Sequence, residues 1–146
     1  NLQAENLVII YTQQGISYSN LNELTKAINF LNMALRIAEE RDLTPFYINI
    51  YLAFARIYQE QNEYPVSRNY AEKAMRIARE LGDWRGLAEY YRILATGYQQ
   101  EGNSPKAIES FQQALKIIGD RSAPFLLGNI NSDLSAAYLV SLNPQD

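Results

Sequence analysis

Neither cysteine nor histidine occurs anywhere in the 146-residue chain. Their absence removes disulfides, thiol nucleophiles, zinc–thiolate sites and the commonest general base. It does not assign a redox compartment, because secreted repeat proteins can also lack cysteine. Basic charge is scarce as well: 13 Lys and Arg against 16 Asp and Glu give a net charge of −3, so no broad positive field exists to hold a phosphate backbone. Neither DNA nor RNA is expected as a partner. No apolar run approaches the roughly 18 to 20 residues of a membrane span, and no basic-then-apolar leader opens the chain. A membrane is therefore not expected as a partner, and the cytoplasm is taken as the compartment. Glycine-rich phosphate loops and metal-ligand spacings are missing too; Gly102-Asn103-Ser104 reads as a turn between helices. The acidic pair Glu39-Glu40 and the dispersed aspartates show no spacing that converges on one point. These absences predict a protein that is not an enzyme, with no catalytic residues, no metal and no cofactor.

What the chain does have is a period. Tyr18, Tyr58, Tyr98 and Tyr138 lie forty residues apart, as do Ala34, Ala74 and Ala114, and Ile37, Ile77 and Ile117. Tyr11, Tyr51 and Tyr91 keep the same register, as do Arg36, Arg76 and Lys116, and Pro65 recurs as Pro105. A unit that repeats in sequence repeats in structure, each copy burying an apolar face on the next. With 47% hydrophobic residues, one domain spanning residues 1–146 can share a continuous core. The repeats are read as about 3–42, 43–83 and 84–121, with a partial copy over 122–142. Because the chain starts at Asn1 without Met and stops after the first helix of a fourth copy, it reads as a segment excised from a larger protein.

Helix signals divide each copy in two. Thr44-Pro45 is expected to cap and open a helix reaching about Glu60, and Pro65 to open a second whose periodic apolar positions run from Val66 to Leu81. Gly82-Asp83 closes it. The same order returns as Trp84 to Gln100, Ser104-Pro105 as cap and first residue, Lys106 to Ile118, and Gly119-Asp120. Upstream, Gln3 to Ser19 and Glu23 to Glu40 form the first pair; downstream, Pro124 opens a last helix to about Leu142. The total is about seven helices and no strand.

Small residues recur where paired helices must approach: Gly15, Ala55, Ala95 and Ser135 on the first helices, and Ala27, Ala34, Ala74, Ala107 and Ala114 on the second. The sets Gly15, Tyr18, Ala27, Leu31, Ala34, then Ala55, Tyr58, Ala71, Ala74, then Ala95, Tyr98, Ala107, Phe111, Ala114 resemble the tetratricopeptide repeat family over nearly the whole chain. The period of forty resembles its long-repeat members: sensor domains of maltose-type transcription activators, peptide-regulated Rap-type phosphatases and spindle-orientation adaptors. The resemblance implies an all-α fold, a right-handed α-solenoid of antiparallel helix pairs, with a concave groove that binds rather than catalyses.

In that family the first helix of each pair lines the groove, and the positions two and six before the repeating Tyr face into it. Carried over, these are Thr12 and Ile16, Leu52 and Arg56, Arg92 and Thr96, and Ser132 and Ala136. Neighbouring turns add Asn49, Gln59, Glu89, Gln99 and Asn129. Arg56 and Arg92 would bind acidic side chains or a terminal carboxylate, the amides would bind main chain, and Leu52 would give apolar contact. Ordinary ion pairs compete with that reading, Arg56 with Glu60 and Arg92 with Glu89. Arg36, Arg76 and Lys116 are read as an outer solvated face, the four periodic tyrosines as core anchors, and Trp84 as packing.

The expected function is a non-catalytic module that binds a protein or extended peptide, preferably an acidic one, in the groove. The alternative is a ligand- or peptide-sensing regulatory domain of a larger signalling protein or transcription activator. Self-association through the open C-terminal end is a further expectation, because Leu134, Tyr138 and Leu142 would be uncovered there.

Overall fold

In a computed structural model, which describes residues 1–143, the chain forms α1 (Leu2–Asn20), α2 (Leu24–Glu40), α3 (Phe46–Glu60), α4 (Tyr64–Leu81), α5 (Trp84–Gln100), α6 (Ser104–Ile118) and α7 (Pro124–Leu142). No described residue lies in a strand. The expected domain boundary at Asp146 lies outside the described residues. Each link between helices turns on one residue in the left-handed region: Asn22 (φ 59°), Asp42 (φ 53°), Asn62 (φ 61°), Gly82 (φ 67°), Gly102 (φ 78°) and Gly119 (φ 53°). The first five stand twenty residues apart, half the repeat. Gly adopts this conformation freely, and Asn and Asp do so more cheaply than other side chains. Four links close with the bond typical of such helix ends: the N–H groups of Glu23, Leu43, Glu63 and Asn103 donate to the carbonyls of Tyr18, Ala38, Tyr58 and Tyr98 at 2.8 to 2.9 Å.

Two expected caps are corrected. Thr44 makes no side-chain cap, because a tight backbone turn already takes the free donors: Phe46 N–H donates to Leu43 O at 3.0 Å and Tyr47 N–H to Thr44 O at 3.1 Å. Ser104 lies inside α6, where the preceding Asn103 side chain accepts from Lys106 N–H at 3.2 Å.

The chain divides into two compact units, one ending at Gly82 and one beginning at Asp83. In the first, α1 pairs with α2 and α3 with α4, and α3 also packs on α1 and α2. The second helices bury a narrow stripe: Ala27, Leu31, Ala34 and Ala38 on α2, and Ser67, Ala71, Ala74 and Ala78 on α4, while Val66 and Leu81 stay exposed. Size is matched across each pair. Gly15 faces Leu31, whose Cγ and Cδ2 would lie 2.7 Å from a Cβ added at Gly15. In the next pair both corresponding positions are alanines, Ala55 and Ala71. Ser67 stands where α2 and α6 carry Ala27 and Ala107; its hydroxyl donates to Ala55 O at 2.7 Å, so the polar group is satisfied inside the helix contact. An aromatic triad tops each pair. Phe30 stacks on Tyr18 at 5.3 Å and tilts against Tyr11 at 6.0 Å; Tyr70 stacks on Tyr58 at 5.6 Å and tilts against Tyr51 at 6.1 Å. Such pairs each add about 0.5–1.5 kcal/mol to the area they bury.

The second unit packs α5 on α6 and places α7 against both. Ala107, Phe111, Ala114 and Ile118 repeat the buried stripe, now around a phenylalanine. From α7, Ile130 and Ala137 are buried and Leu126, Leu127 and Leu134 pack against this core. Trp84 packs there too, with the guanidinium groups of Arg85 and Arg121 4.8 and 5.3 Å from its ring. Two expectations change here. Ser135 is exposed rather than closing a helix pair, and its hydroxyl donates to Asn131 O at 2.8 Å. Tyr18, Tyr58 and Tyr98 are half-buried and pack against the hydrophobic cores as expected, whereas Tyr138 is 42% exposed, its hydroxyl accepting from Gln112 at 3.0 Å.

Candidate polypeptide-binding surface

The surface is built on the first helices of each unit. On α1, Thr12 is buried with its hydroxyl donated to Val8 O at 2.7 Å, and Ile16 packs on the core. Neither presents a polar group outward. On α3, Asn49 is exposed and Arg56 half-buried. Leu52 is only 4% exposed and Gln59 only 8%, so Leu52 supplies core packing and leaves almost no surface for an apolar contact. Glu60, one expected mate for Arg56, accepts from the Ser19 hydroxyl at 3.3 Å.

On α5 and α7 the structure gathers a polar cluster. Arg92 Nε donates to Glu89 at 3.2 Å, one turn away, and Arg92 Nη1 reaches Asp133 on α7 at 3.4 Å. All three side chains are between 23% and 35% exposed, where ion pairs are only partly screened. The ordinary-pair reading of Arg92 therefore holds. Two carboxylates on one guanidinium leave a local charge of −1, which weakens the expected grip of Arg92 on an acidic partner. The Thr96 hydroxyl donates to Arg92 O at 2.6 Å, a bond within its own helix. Gln99 is half-buried, and Asn129, Ser132 and Ala136 are exposed.

Beside this cluster a cleft of about 370 Å³ opens between the starts of α5 and α7, lined by Arg85, Glu89, Ser122 to Leu126 and Asn129. Glu89 and Asn129 were expected here; Arg85, Phe125 and Asp133 were not. A signal for them existed. Arg85 and Phe125 lie one turn before Glu89 and Asn129 and forty residues apart, and Asp133 lies forty-one residues after Arg92. The α1–α3 link from Ser19 to Glu60 spans the same forty-one residues, so one register rule joins neighbouring first helices in each unit. Phe125 is 90% exposed and lines the cleft with Ala123, Pro124 and Leu126, opposite the charges of Arg85 and Glu89. Arg36, Arg76 and Lys116 are exposed, as expected of a solvated face, and Arg76 lies 3.9 Å from Glu72.

Among the described residues, no group of three or more acidic side chains could hold a metal ion, and no helix is long and apolar enough to cross a membrane.

Paired antiparallel helices at a fixed period define a helical-repeat protein. Two tetratricopeptide repeat families match the sequence, over residues 46–118 and 8–41, and the chain belongs to the tetratricopeptide repeat family. No curated protein sequence matches it. Among solved structures it is similar to BtubC (BKLC) from P. vanneervenii, with a TM-score of 0.75 and 21% identity over 94% of this chain and 57% of that one. It is also similar to the N-terminal domain of stress-induced protein-1 from C. elegans, with a TM-score of 0.61 and 19% identity over 91% of this chain and 98% of that one. A third similar structure is the signal transduction ATPase with numerous domains and a tetratricopeptide repeat sensor from Pyrococcus horikoshii, with a TM-score of 0.70 and 24% identity over 90% of this chain and 21% of that one. The chain thus spans little more than half of BtubC and about a fifth of the ATPase. Repeats of this family serve in general as protein-interaction modules.

Proposed function

We propose that this chain binds an extended segment of a partner polypeptide along its first helices and performs no chemistry of its own. The observation that carries the reading is the cleft between α5 and α7, where Glu89 and Asn129 meet Arg85 and the exposed Phe125. An amide that donates and accepts, charges of both signs and an apolar wall from Ala123 to Leu126 suit main-chain groups with an occasional apolar side chain. Arg92, held between Glu89 and Asp133, is preorganised, and its remaining N–H groups favour a carbonyl over a carboxylate. Asn49 and Arg56 on α3 in the first unit, and Thr96, Gln99 and Ser132 on α5 and α7 in the second, are assigned as further polar contacts. The absence of histidine and cysteine from the sequence supports a passive role, and the cytoplasm is the compartment we assign.

The test is capture of partners from lysate by the wild type, by Asn49→Lys/Asn129→Lys/Ser132→Lys, and by Arg36→Glu/Arg76→Glu. All five positions are exposed, so stability should change by no more than about 0.5 kcal/mol per site. Partners lost only in the first variant support the reading; partners lost only in the second move recognition to the outer face. Capture of none by any form favours a sensor domain of a larger signalling protein. The likeness to an ATPase whose repeats are described as a sensor supports that alternative.

Self-association is a second reading, favoured by Leu139, Val140 and Leu142 on α7, which are 53% to 74% exposed. Leu134 no longer contributes, because it packs on the core. Sedimentation that shows a monomer at high concentration would count against it.

A further inference from the structure

The aromatic triads follow the forty-residue register, and the third one is incomplete. Tyr11, Tyr18 and Phe30 correspond to Tyr51, Tyr58 and Tyr70, and then to Tyr91, Tyr98 and Ser110. In the first two pairs the geometry is nearly the same: the ring from the second helix lies parallel, within 4°, to Tyr18 or Tyr58, and tilts by 38° or 36° from Tyr11 or Tyr51. Ser110 brings no ring to the third pair. Its hydroxyl turns back to donate to Lys106 O at 2.8 Å, and the side chain is only 7% exposed, at the floor of the space.

That space is a cleft of about 430 Å³ between α5 and α6, lined by Tyr91, Leu94, Tyr98, Lys106, Glu109, Ser110 and Gln113, and separate from the α5–α7 cleft. Its surroundings otherwise keep the pattern of the first pair. Lys106 lies over Tyr98 at 5.4 Å as Lys26 lies over Tyr18 at 5.2 Å, and Tyr18 carries Phe30 as well. A notch with tyrosines at the positions that elsewhere hold a ring, an apolar Leu94 and the polar ends of Lys106, Glu109 and Gln113 is shaped for an aromatic residue within a polypeptide.

We propose that this cleft binds a Tyr or Phe residue of a partner polypeptide, its ring taking the place of Phe30 and Tyr70, with Lys106, Glu109 and Gln113 available to its main chain. The inference does not depend on the surface proposed along the first helices. It can be tested with N-acetyl-L-tyrosinamide, a tyrosine flanked by both peptide groups, titrated into the full chain and followed by NMR. The expected result is saturable shifts of the Tyr91, Tyr98, Lys106 and Gln113 signals, with intermolecular NOEs from the ligand ring to Tyr98 and Leu94. Ser110→Phe should abolish the shifts by supplying the ring, whereas Ser110→Ala, which leaves the cleft open, should retain them. The proposal is overturned if no such shifts or NOEs occur, if Ser110→Phe binds as well as the wild type, or if N-acetyl-L-leucinamide binds equally. The NOEs decide the matter in the wild type even if Ser110→Phe fails to fold.

Discussion

Gly15 and Leu31 give the sharpest test of how the repeats are packed. A Cβ at Gly15 would come within 2.7 Å of Leu31 Cγ and Cδ2, well inside contact distance, and within 3.2 Å of Ala27 O. Leu31 is fully buried and cannot swing into solvent. Replacing Gly15 by Ala should gain about 0.5–1 kcal/mol from helix propensity and lose about 1–3 kcal/mol to overpacking, a net destabilisation of about 1 kcal/mol. Leu31→Ala should cost about 2–5 kcal/mol through the cavity it leaves. With the leucine gone, however, the added Cβ meets only Ala27 O at 3.2 Å, which a shift of a few tenths of an ångström relieves, and the pair takes the two alanines found at Ala55 and Ala71. Gly15→Ala should then stabilise by about 0.5–1 kcal/mol, so the two substitutions couple favourably by about 1–3 kcal/mol. Urea midpoints of the four proteins, followed by far-UV circular dichroism and compared at constant m, measure this cycle. If Gly15→Ala has the same sign and size in both backgrounds, the size-matching argument is wrong.

Other substitutions probe other parts of the fold. Phe111→Ala, at the fully buried centre of the second unit, should destabilise it by about 3–5 kcal/mol in the same assay. Ser67→Val would replace the hydroxyl that reaches Ala55 O with two methyl groups inside a helix contact; a loss of about 1–3 kcal/mol is expected, and Ser67→Ala, as at Ala27 and Ala107, should lose less. Arg92→Ala leaves Glu89 and Asp133 facing each other and should cost about 1 kcal/mol, with part of the loss recovered by adding Asp133→Asn. Burial is the main cause that raises the Tyr47, Tyr51 and Tyr70 hydroxyls above their ordinary pKa of 10.0, with neighbouring acidic groups adding to it. Because the unfolded chain ionises first, the stability they hold is complete below about pH 10 and is lost as pH rises through the folded-state values. Tyr51→Phe/Tyr70→Phe should therefore flatten the decline of the urea midpoint above pH 10.

The helices were legible because a forty-residue register carries the same buried stripe three times, so that Ala34, Ala74 and Ala114 identify one another. The links are legible from Gly82, Gly102 and Gly119 and from the short polar stretches between helices, but the sequence does not show which residue turns the others. Asn22, Asp42 and Asn62 share the positive φ of Gly82 and Gly102, but side chains common on any surface conceal it. The caps at Thr44 and Ser104 were misassigned because a hydroxyl before proline looks like a helix start, whereas a backbone turn in one case and Asn103 in the other had already met the free donors. A family rule that ignores local packing brings buried Leu52 into the set, and the neighbouring turn brings in buried Gln59. The charge of Arg92 is answered by Asp133, a residue that becomes a neighbour only when the register is offset by one. Ser110 is inconspicuous in the sequence because a small residue on a second helix stands out only when aligned with Phe30 and Tyr70.

The most direct test of binding along the first helices is photo-crosslinking in cells from p-benzoylphenylalanine placed singly at Asn49, Asn129, Arg36 or Arg76. All four are exposed, two on first helices and two on second. Crosslinks to a shared partner from Asn49 and Asn129, with none from Arg36 or Arg76, are the predicted result. Crosslinks from Arg36 and Arg76 alone would contradict it.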